Sequence, residues 1–157
     1  MNEMITIVDY GMGNLGSIQN MFKRMGVASC ITSDCDVIAK SSKILLPGVG
    51  AFDHAMKKIN GSDLRQVLDH KALVERVPIL GICLGMQLLT RSSEESELPG
   101  LGWIDASVKR FPKKRELKVP HMGWNVVVQS NSNVLTKDLP DESRFYFVHS
   151  YCVTVDN

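Results

Sequence analysis

The sequence predicts an α/β fold: a mainly parallel central sheet with helices on both faces and an antiparallel extension. Three observations lead there. Through residues 4–89, short apolar runs alternate with segments of helical period in the order β-α-β-α-β-α-β-α. Three of those runs, ending at Asp9, Leu46 and Leu80, pass directly into glycine-bearing loops. In a parallel sheet such loops gather along the carboxyl edge of the strands, where ligands bind. From Arg91 onward the helical period gives way to short β-rich runs separated by turn residues, which read as hairpins.

Residues 4–9, Met-Ile-Thr-Ile-Val-Asp, form the first expected strand, and Tyr10-Gly11-Met12-Gly13-Asn14-Leu15-Gly16 the loop behind it. Residues 17–25 read as a helix, with Ile18, Met21, Phe22 and Met25 on one face and Gly26 as its stop. The loop spells Gly-x-Gly-x-x-Gly between strand and helix, the form of a dinucleotide-binding fingerprint. The acidic residue that should hold a ribose is Asp34, however, and it sits in a polar stretch rather than at the end of a strand. Nucleotide binding is therefore not the reading adopted, and no cofactor is predicted.

Residues 28–32 make a second strand, and residues 34–39 a short helix capped by Ser33 or Asp34. Residues 43–46 make a third strand, which runs into Pro47-Gly48-Val49-Gly50. Glycines on both sides of Val49 allow the backbone to turn its amides toward a ligand, as an oxyanion hole requires. A plain strand-to-helix turn also favours Pro and Gly, so this motif alone is weak. Residues 51–59 and 63–75 read as helical, with Gly61-Ser62 as the break. His54 and His70 fall in these helices and are assigned to surface or packing.

The fourth strand carries the chemistry. Val77-Pro78-Ile79-Leu80 reads as a strand buried on both faces and leads through Gly81-Ile82-Cys83-Leu84-Gly85 into residues that favour helix. A glycine two positions on either side of a central residue lets strand and helix approach closely. The residue between them can then occupy a strained turn with its side chain held out, a nucleophile elbow. Cys83 would sit at the start of the following helix, where free amides and the helix dipole favour a thiolate. The competing reading is a small core residue, since free cysteine is often buried. The paired glycines favour the nucleophile.

Beyond Arg91 the expected strands are residues 104–109, 124–129, 144–148 and 152–155. The stretch from Lys109 to Arg115 holds five cations in seven residues and reads as a solvated hairpin tip.

Composition narrows the function. A chain of 157 residues with 44% hydrophobic and 6% aromatic content suits one domain with a real core. A net charge of +1 gives no electrostatic case for nucleic acid or an anionic membrane. No apolar run approaches a membrane span and no signal peptide is legible, so a cytoplasmic protein is expected. Cys30, Cys35, Cys83 and Cys152 form no CxxC and the four histidines no HExxH, so reduced thiols and no metal site are expected.

Four blocks together, Pro47-Gly48-Val49-Gly50, Gly81 to Gln87, Pro120-His121-Met122-Gly123-Trp124-Asn125 and Phe147-Val148-His149-Ser150-Tyr151, resemble class I glutamine amidotransferases. Within that family the resemblance runs to the glutaminase subunits of imidazole glycerol phosphate synthase, and it covers essentially the whole chain. It implies hydrolysis of glutamine to glutamate and ammonia, with the ammonia passed to a cyclase or synthase partner in histidine biosynthesis. It assigns Cys83 as nucleophile, the amides of Leu84 and of the Val49-Gly50 turn as oxyanion donors, and Gly48, Gln87, Ser150 and Tyr151 to the substrate. Asn14, His121, Met122 and Trp124 match partner-interface positions. The family also places a His-x-Glu pair after a further strand, and no histidine here has a carboxylate two residues on. The expectation is therefore a single amidotransferase domain lacking about a quarter of its length, and inactive as it stands. Other readings are an ammonia-supplying subunit for a surface-sugar amidotransferase, a thiol hydrolase of another α/β family, and a non-catalytic partner-binding relative.

Overall fold

The structure, a computed structural model, describes residues 4–112, 118–131 and 133–156. The chain divides into two compact units, one running to Lys109 and resuming at Val153, the other spanning Arg110–Cys152. Each is described by itself.

The first unit is built on four parallel strands, β1 (Ile5–Val8), β2 (Ser29–Thr32), β3 (Ile44–Leu46) and β4 (Ile79–Gly81), in the order β2-β1-β3-β4. The helices α1 (Leu15–Arg24), α2 (Cys35–Ala39) and α3 (Phe52–Asn60) connect the first three strands and lead away from β3. The helix α4 (Leu64–Asp69) continues as a π-helical turn over His70–Val74, and α5 (Leu84–Leu88) follows β4. Val8, Ile44 and Leu46 join the core cluster formed with α2, α3, α4 and α5. Ile7 and Leu45 point the other way, as alternation along a strand requires, and are 0% and 2% exposed. Both faces of β1 and β3 are thus covered, as a parallel sheet demands.

Local chemistry sets the helix boundaries. Asn14 Oδ1 accepts from Ser17 N at 3.2 Å and so starts α1 two residues earlier than expected. Asp34, one of the two predicted caps, accepts from Asp36 N at 2.8 Å and starts α2. In α3, Phe52, Ala55, Met56 and Ile59 recur at helical spacing and are all fully buried. Burial of Phe52 alone contributes about 1.5–3 kcal/mol. The buried Lys71 Nζ lies 2.9 Å from Ala39 O and 2.6 Å from Glu75 Oε2, so one ammonium caps the end of α2 and pairs within its own turn.

Three expectations are corrected here. Met21 and Met25 do not share the packed face of α1: they are 55% and 65% exposed, while Ile18 and Phe22 are half-buried. The helix expected over residues 63–75 changes its hydrogen-bonding pattern at His70. The fourth strand is not buried on both faces. As the outermost strand of the four it leaves Leu80 47% exposed, and Ile82 just beyond it 40% exposed.

Strands β5 (Ser92–Ser93), β6 (Ala106–Arg110) and β9 (Tyr151–Val155) make a three-stranded sheet in the order β5-β6-β9, with β5 and β6 parallel. The two-residue β5 lies in the acidic stretch that carried no strand expectation.

The second unit contains the antiparallel pair β7 (His121–Val126) and β8 (Arg144–His149), in register His121 to His149, Trp124 to Tyr146 and Val126 to Arg144. This pair is a two-stranded sheet of its own, and β7 begins three residues before the expected strand. Of the cationic stretch, residues 113–115 lie outside the described residues.

Candidate active site

The carboxyl ends of β1, β3 and β4 bring the three glycine loops together. Strand order reverses between β1 and β3, so the chain departs in opposite directions from adjacent strands and leaves a crevice at their ends. Tyr10 reaches across that crevice and donates its phenolic hydrogen to Pro47 O at 2.5 Å. On the other side, Ile82 N donates to Leu46 O at 3.1 Å and keeps the chain beside β3 for one residue past β4.

Cys83 comes next, at φ +54° and ψ −117°. This is a backbone region that residues with a Cβ rarely adopt, and the strain is the mark of an elbow. The thiol is free and exposed. Its carbonyl accepts from Met86 N at 3.1 Å and Gln87 N at 3.2 Å, starting α5 directly behind it. Leu84 supplies the first amide of that helix, one of those that a helix leaves without an intrahelical acceptor.

The glycines have distinct jobs. A Cβ on Gly81 would come within 2.5 Å of Met86 Cα, so the strand and helix arms of the elbow touch backbone to backbone. A Cβ on Gly48 would lie 2.5 Å from the Tyr10 hydroxyl oxygen, 2.9 Å from Gly85 N and 3.1 Å from Leu84 Cβ. The Pro47 to Gly50 turn is therefore pressed against the first turn of α5. Pro47 and Gly48 are buried, whereas Val49 is 64% exposed and Gly50 is exposed at φ +119°. The amides of residues 49 and 50 and that of Leu84 thus belong to two backbone segments in direct contact. Gln87, half-buried, lies one helical turn beyond Cys83.

His54, expected at the surface or in packing, is exposed and lines an open cavity of about 550 Å³ with Gly11, Met12, Gly13, Asn14 and Val49. One residue in this neighbourhood was missed in the sequence. Tyr10, taken as a loop residue, is 6% exposed. Burial, and after it the charge of a Cys83 thiolate, push its phenol above the ordinary range. The only available signal was an aromatic residue directly after a strand that ends in Asp9.

The remaining expected site residues lie in the second unit or at its border. Ser150 O accepts from Phe111 N at 3.0 Å, and Tyr151 O lies 2.8 Å from His149 Nδ1. A carbonyl only accepts, so His149 Nδ1 carries hydrogen. In the neutral ring Nε2 is then an acceptor, and His121 Nδ1, 2.9 Å away, must be the donor to it. His121 Nε2 in turn accepts from Asn125 Nδ2 at 2.5 Å. Alternation places His121 and His149 on one face of the β7–β8 pair and Met122 and Trp124 on the other. That second face exposes Met122, Trp124, Tyr146 and Val148 by 55–61%, with Trp124 packed edge-on to Tyr146 at 5.7 Å. A cavity of about 600 Å³ in this unit is lined by Phe111, His121 and Asn125 among others and contains none of the elbow residues. Among the described residues no group of three or more His, Cys, Asp or Glu side chains is placed to hold a metal, and no helix is long and apolar enough to cross a membrane.

Comparison with known proteins bears on this site. The family model for glutamine amidotransferase class-I matches residues 6–157. Subunit HisH 2 of imidazole glycerol phosphate synthase from Methanococcus maripaludis is 50% identical, over 98% of this chain and 76% of its own. Subunit HisH of the same synthase from Bdellovibrio bacteriovorus is 45% identical, over 98% of this chain and 77% of its own. The chain thus spans about three quarters of these relatives' length. Among solved structures, a glutamine amidotransferase superposes with a TM-score of 0.67 at 17% identity, covering 91% of this chain and 70% of that one, a likeness of fold.

Proposed function

The chain belongs to the class I glutamine amidotransferase family, and from that premise we propose how its elbow acts in a glutaminase subunit of imidazole glycerol phosphate synthase. The reaction is hydrolysis of glutamine to glutamate and ammonia, and the ammonia is used by a cyclase subunit in histidine biosynthesis. We read the chain as one amidotransferase domain working in the cytoplasm.

A carboxamide is a poor electrophile, so the site must supply a strong nucleophile and stabilise the charge that forms on oxygen. The Cys83 thiolate attacks the side-chain carbonyl carbon of glutamine. The carbonyl electron pair moves to oxygen, and the oxyanion accepts hydrogen bonds from Leu84 N–H and from an amide of the Val49–Gly50 turn. Collapse breaks the carbon–nitrogen bond as nitrogen takes up a proton from solvent water, releasing ammonia and leaving a thioester on Cys83; the later hydrolysis returns a proton to water. Water adds to the thioester, the carbon–sulfur bond breaks, and glutamate leaves with the thiolate restored. Gly48 and Gln87 border the elbow and are assigned to the substrate; the family resemblance assigns Ser150 and Tyr151 to the amino-acid end of glutamine.

The observation that carries this reading is the conformation of Cys83, exposed at φ +54° between two glycines that hold strand and helix together. The apolar face of Met122, Trp124, Tyr146 and Val148 supports a protein partner, since patches of this kind mark interfaces. Asn14, whose side chain caps α1, and His121, on the opposite strand face, are assigned to the same partner's surroundings.

In the complete chain, replacing Cys83 by Ala should abolish glutamine hydrolysis in the synthase complex while leaving the circular dichroism spectrum unchanged. Retained turnover would remove the nucleophile from the scheme. Glutaminase activity should rise when the synthase subunit and its ligand are added, and full activity in isolation would contradict a coupled subunit.

A further inference from the structure

Tyr10 stands outside the scheme above, and the structure gives it one polar contact at the centre of the site. Its ring is buried at the carboxyl end of β1, where a phenylalanine would fill the same space. A buried hydroxyl is costly unless it is bonded, so the oxygen asks for a reason. The bond it makes is to Pro47 O, at 2.5 Å.

That carbonyl belongs to the peptide that enters the turn. Pro47 C=O and Gly48 N–H share one rigid plane and, in the trans form, point in opposite directions. A donor fixed on the oxygen therefore fixes the direction of the Gly48 amide and the path on which residues 49 and 50 depart. The buried end of the turn is this one: Pro47 and Gly48 are buried, while Val49 and Gly50 are exposed. The Tyr10 hydroxyl also occupies the space beside Gly48 that a Cβ would need, which it borders together with Leu84 and Gly85. Burial holds the phenol above its ordinary range, so the hydroxyl remains a donor to the Pro47 carbonyl.

We propose that Tyr10 is a positioning residue for glutamine hydrolysis: its hydroxyl holds the Pro47 carbonyl and so sets the turn amides of residues 49 and 50 beside Cys83. This rests on the reading that those amides receive the oxyanion. Tyr10 touches neither substrate nor sulfur. It acts through one peptide plane.

The test is Tyr10→Phe in the complete chain within the synthase complex, which removes one oxygen and keeps the ring. Loss of a single oxyanion donor typically lowers kcat about 10²–10³-fold, and a misaimed donor somewhat less. A fall in kcat of roughly 10- to 100-fold is expected, with KM changed by less than about threefold because glutamine is bound by other groups. Alkylation of Cys83 by iodoacetamide creates no oxyanion and should stay within about twofold of the parent rate. A merely structural role would not separate the two rates. Should the variant be unfolded at the assay temperature, inhibition by glutamate γ-semialdehyde is measured below its thermal midpoint. The semialdehyde's adduct with Cys83 carries the same oxygen, and its Ki should weaken by the same factor as kcat. Unchanged kcat, an unchanged semialdehyde Ki, or a parallel fall in alkylation overturns the proposal. A complex of the complete parent chain that hydrolyses no glutamine overturns the underlying reading, and the role of Tyr10 with it.

Discussion

Gly85 and Leu46 meet backbone to backbone: a Cβ built on Gly85 would overlap the Leu46 carbonyl oxygen and stand 2.7 Å from Leu46 C and 3.1 Å from Pro47 C. The helix behind Cys83 therefore rests directly on the end of β3, at the point where the Pro47 to Gly50 turn begins.

Gly85→Ala cannot be relieved by a side chain swinging away, because every atom in the path is main chain. Either α5 lifts from β3 or the Pro47 turn moves. We expect a loss of about 1–3 kcal/mol in urea unfolding, toward the upper end of what overpacking costs, together with loss of glutaminase activity. Gly16 in α1 has nothing within 4 Å of its would-be Cβ, so Gly16→Ala should instead stabilise by roughly 0.5–1 kcal/mol. Equal effects of the two substitutions would contradict the close approach at Gly85.

The elbow was legible in the sequence because its requirements are local: two glycines, four positions apart, at the junction of an apolar run and a helix. The cap Asp34 acts within three residues of itself, whereas the Asn14 cap, which starts α1 two residues before the expected Ser17, was not read from the sequence. What else stayed hidden depends on chain segments that meet only in three dimensions. The Tyr10 bond to Pro47 joins positions 37 apart, and the His121–His149 bond positions 28 apart. Each needs strand order or register to be known first. The apolar run ending at Leu80 reads as a central strand by composition, but only its place as the outermost of four strands decides that Leu80 faces outward. Met21 and Met25 fit the helical period equally well, and the part of α1 that β2 covers leaves both exposed.

The strained backbone at Cys83 makes a prediction about stability as well as activity. At φ +54° and ψ −117°, Cys83 holds its Cβ in a region suited to glycine. Cys83→Ala and Cys83→Gly should both lack activity, but the glycine variant should be the more stable by about 1 kcal/mol, since it escapes the Cβ penalty in the folded chain. Urea midpoints with unchanged slopes would measure this. An alanine variant as stable as the glycine variant would mean that the elbow stores no strain.

Asp53, in the first turn of α3, ties that helix to the segment behind β5. Its Oδ1 lies 2.5 Å from Ser96 Oγ and accepts from Leu98 N at 3.1 Å. The Ser96 bond first, and the Leu98 amide second, hold its carboxyl below the ordinary range. A carboxyl that binds protons less readily when folded stabilises the fold above its unfolded pKa, and that contribution disappears as pH falls through the lower folded value. Asp53→Asn keeps an oxygen acceptor and removes the charge. Its thermal midpoint should fall below the parent's at pH 7, with the gap narrowing as pH drops through about 4 and closing under stronger acid. Ser96→Ala should reproduce part of the pH 7 loss, because it removes the larger of the two interactions. A midpoint gap that stays constant from pH 7 to about pH 3 would show that the charge of Asp53 contributes nothing and that the helix is held by packing alone.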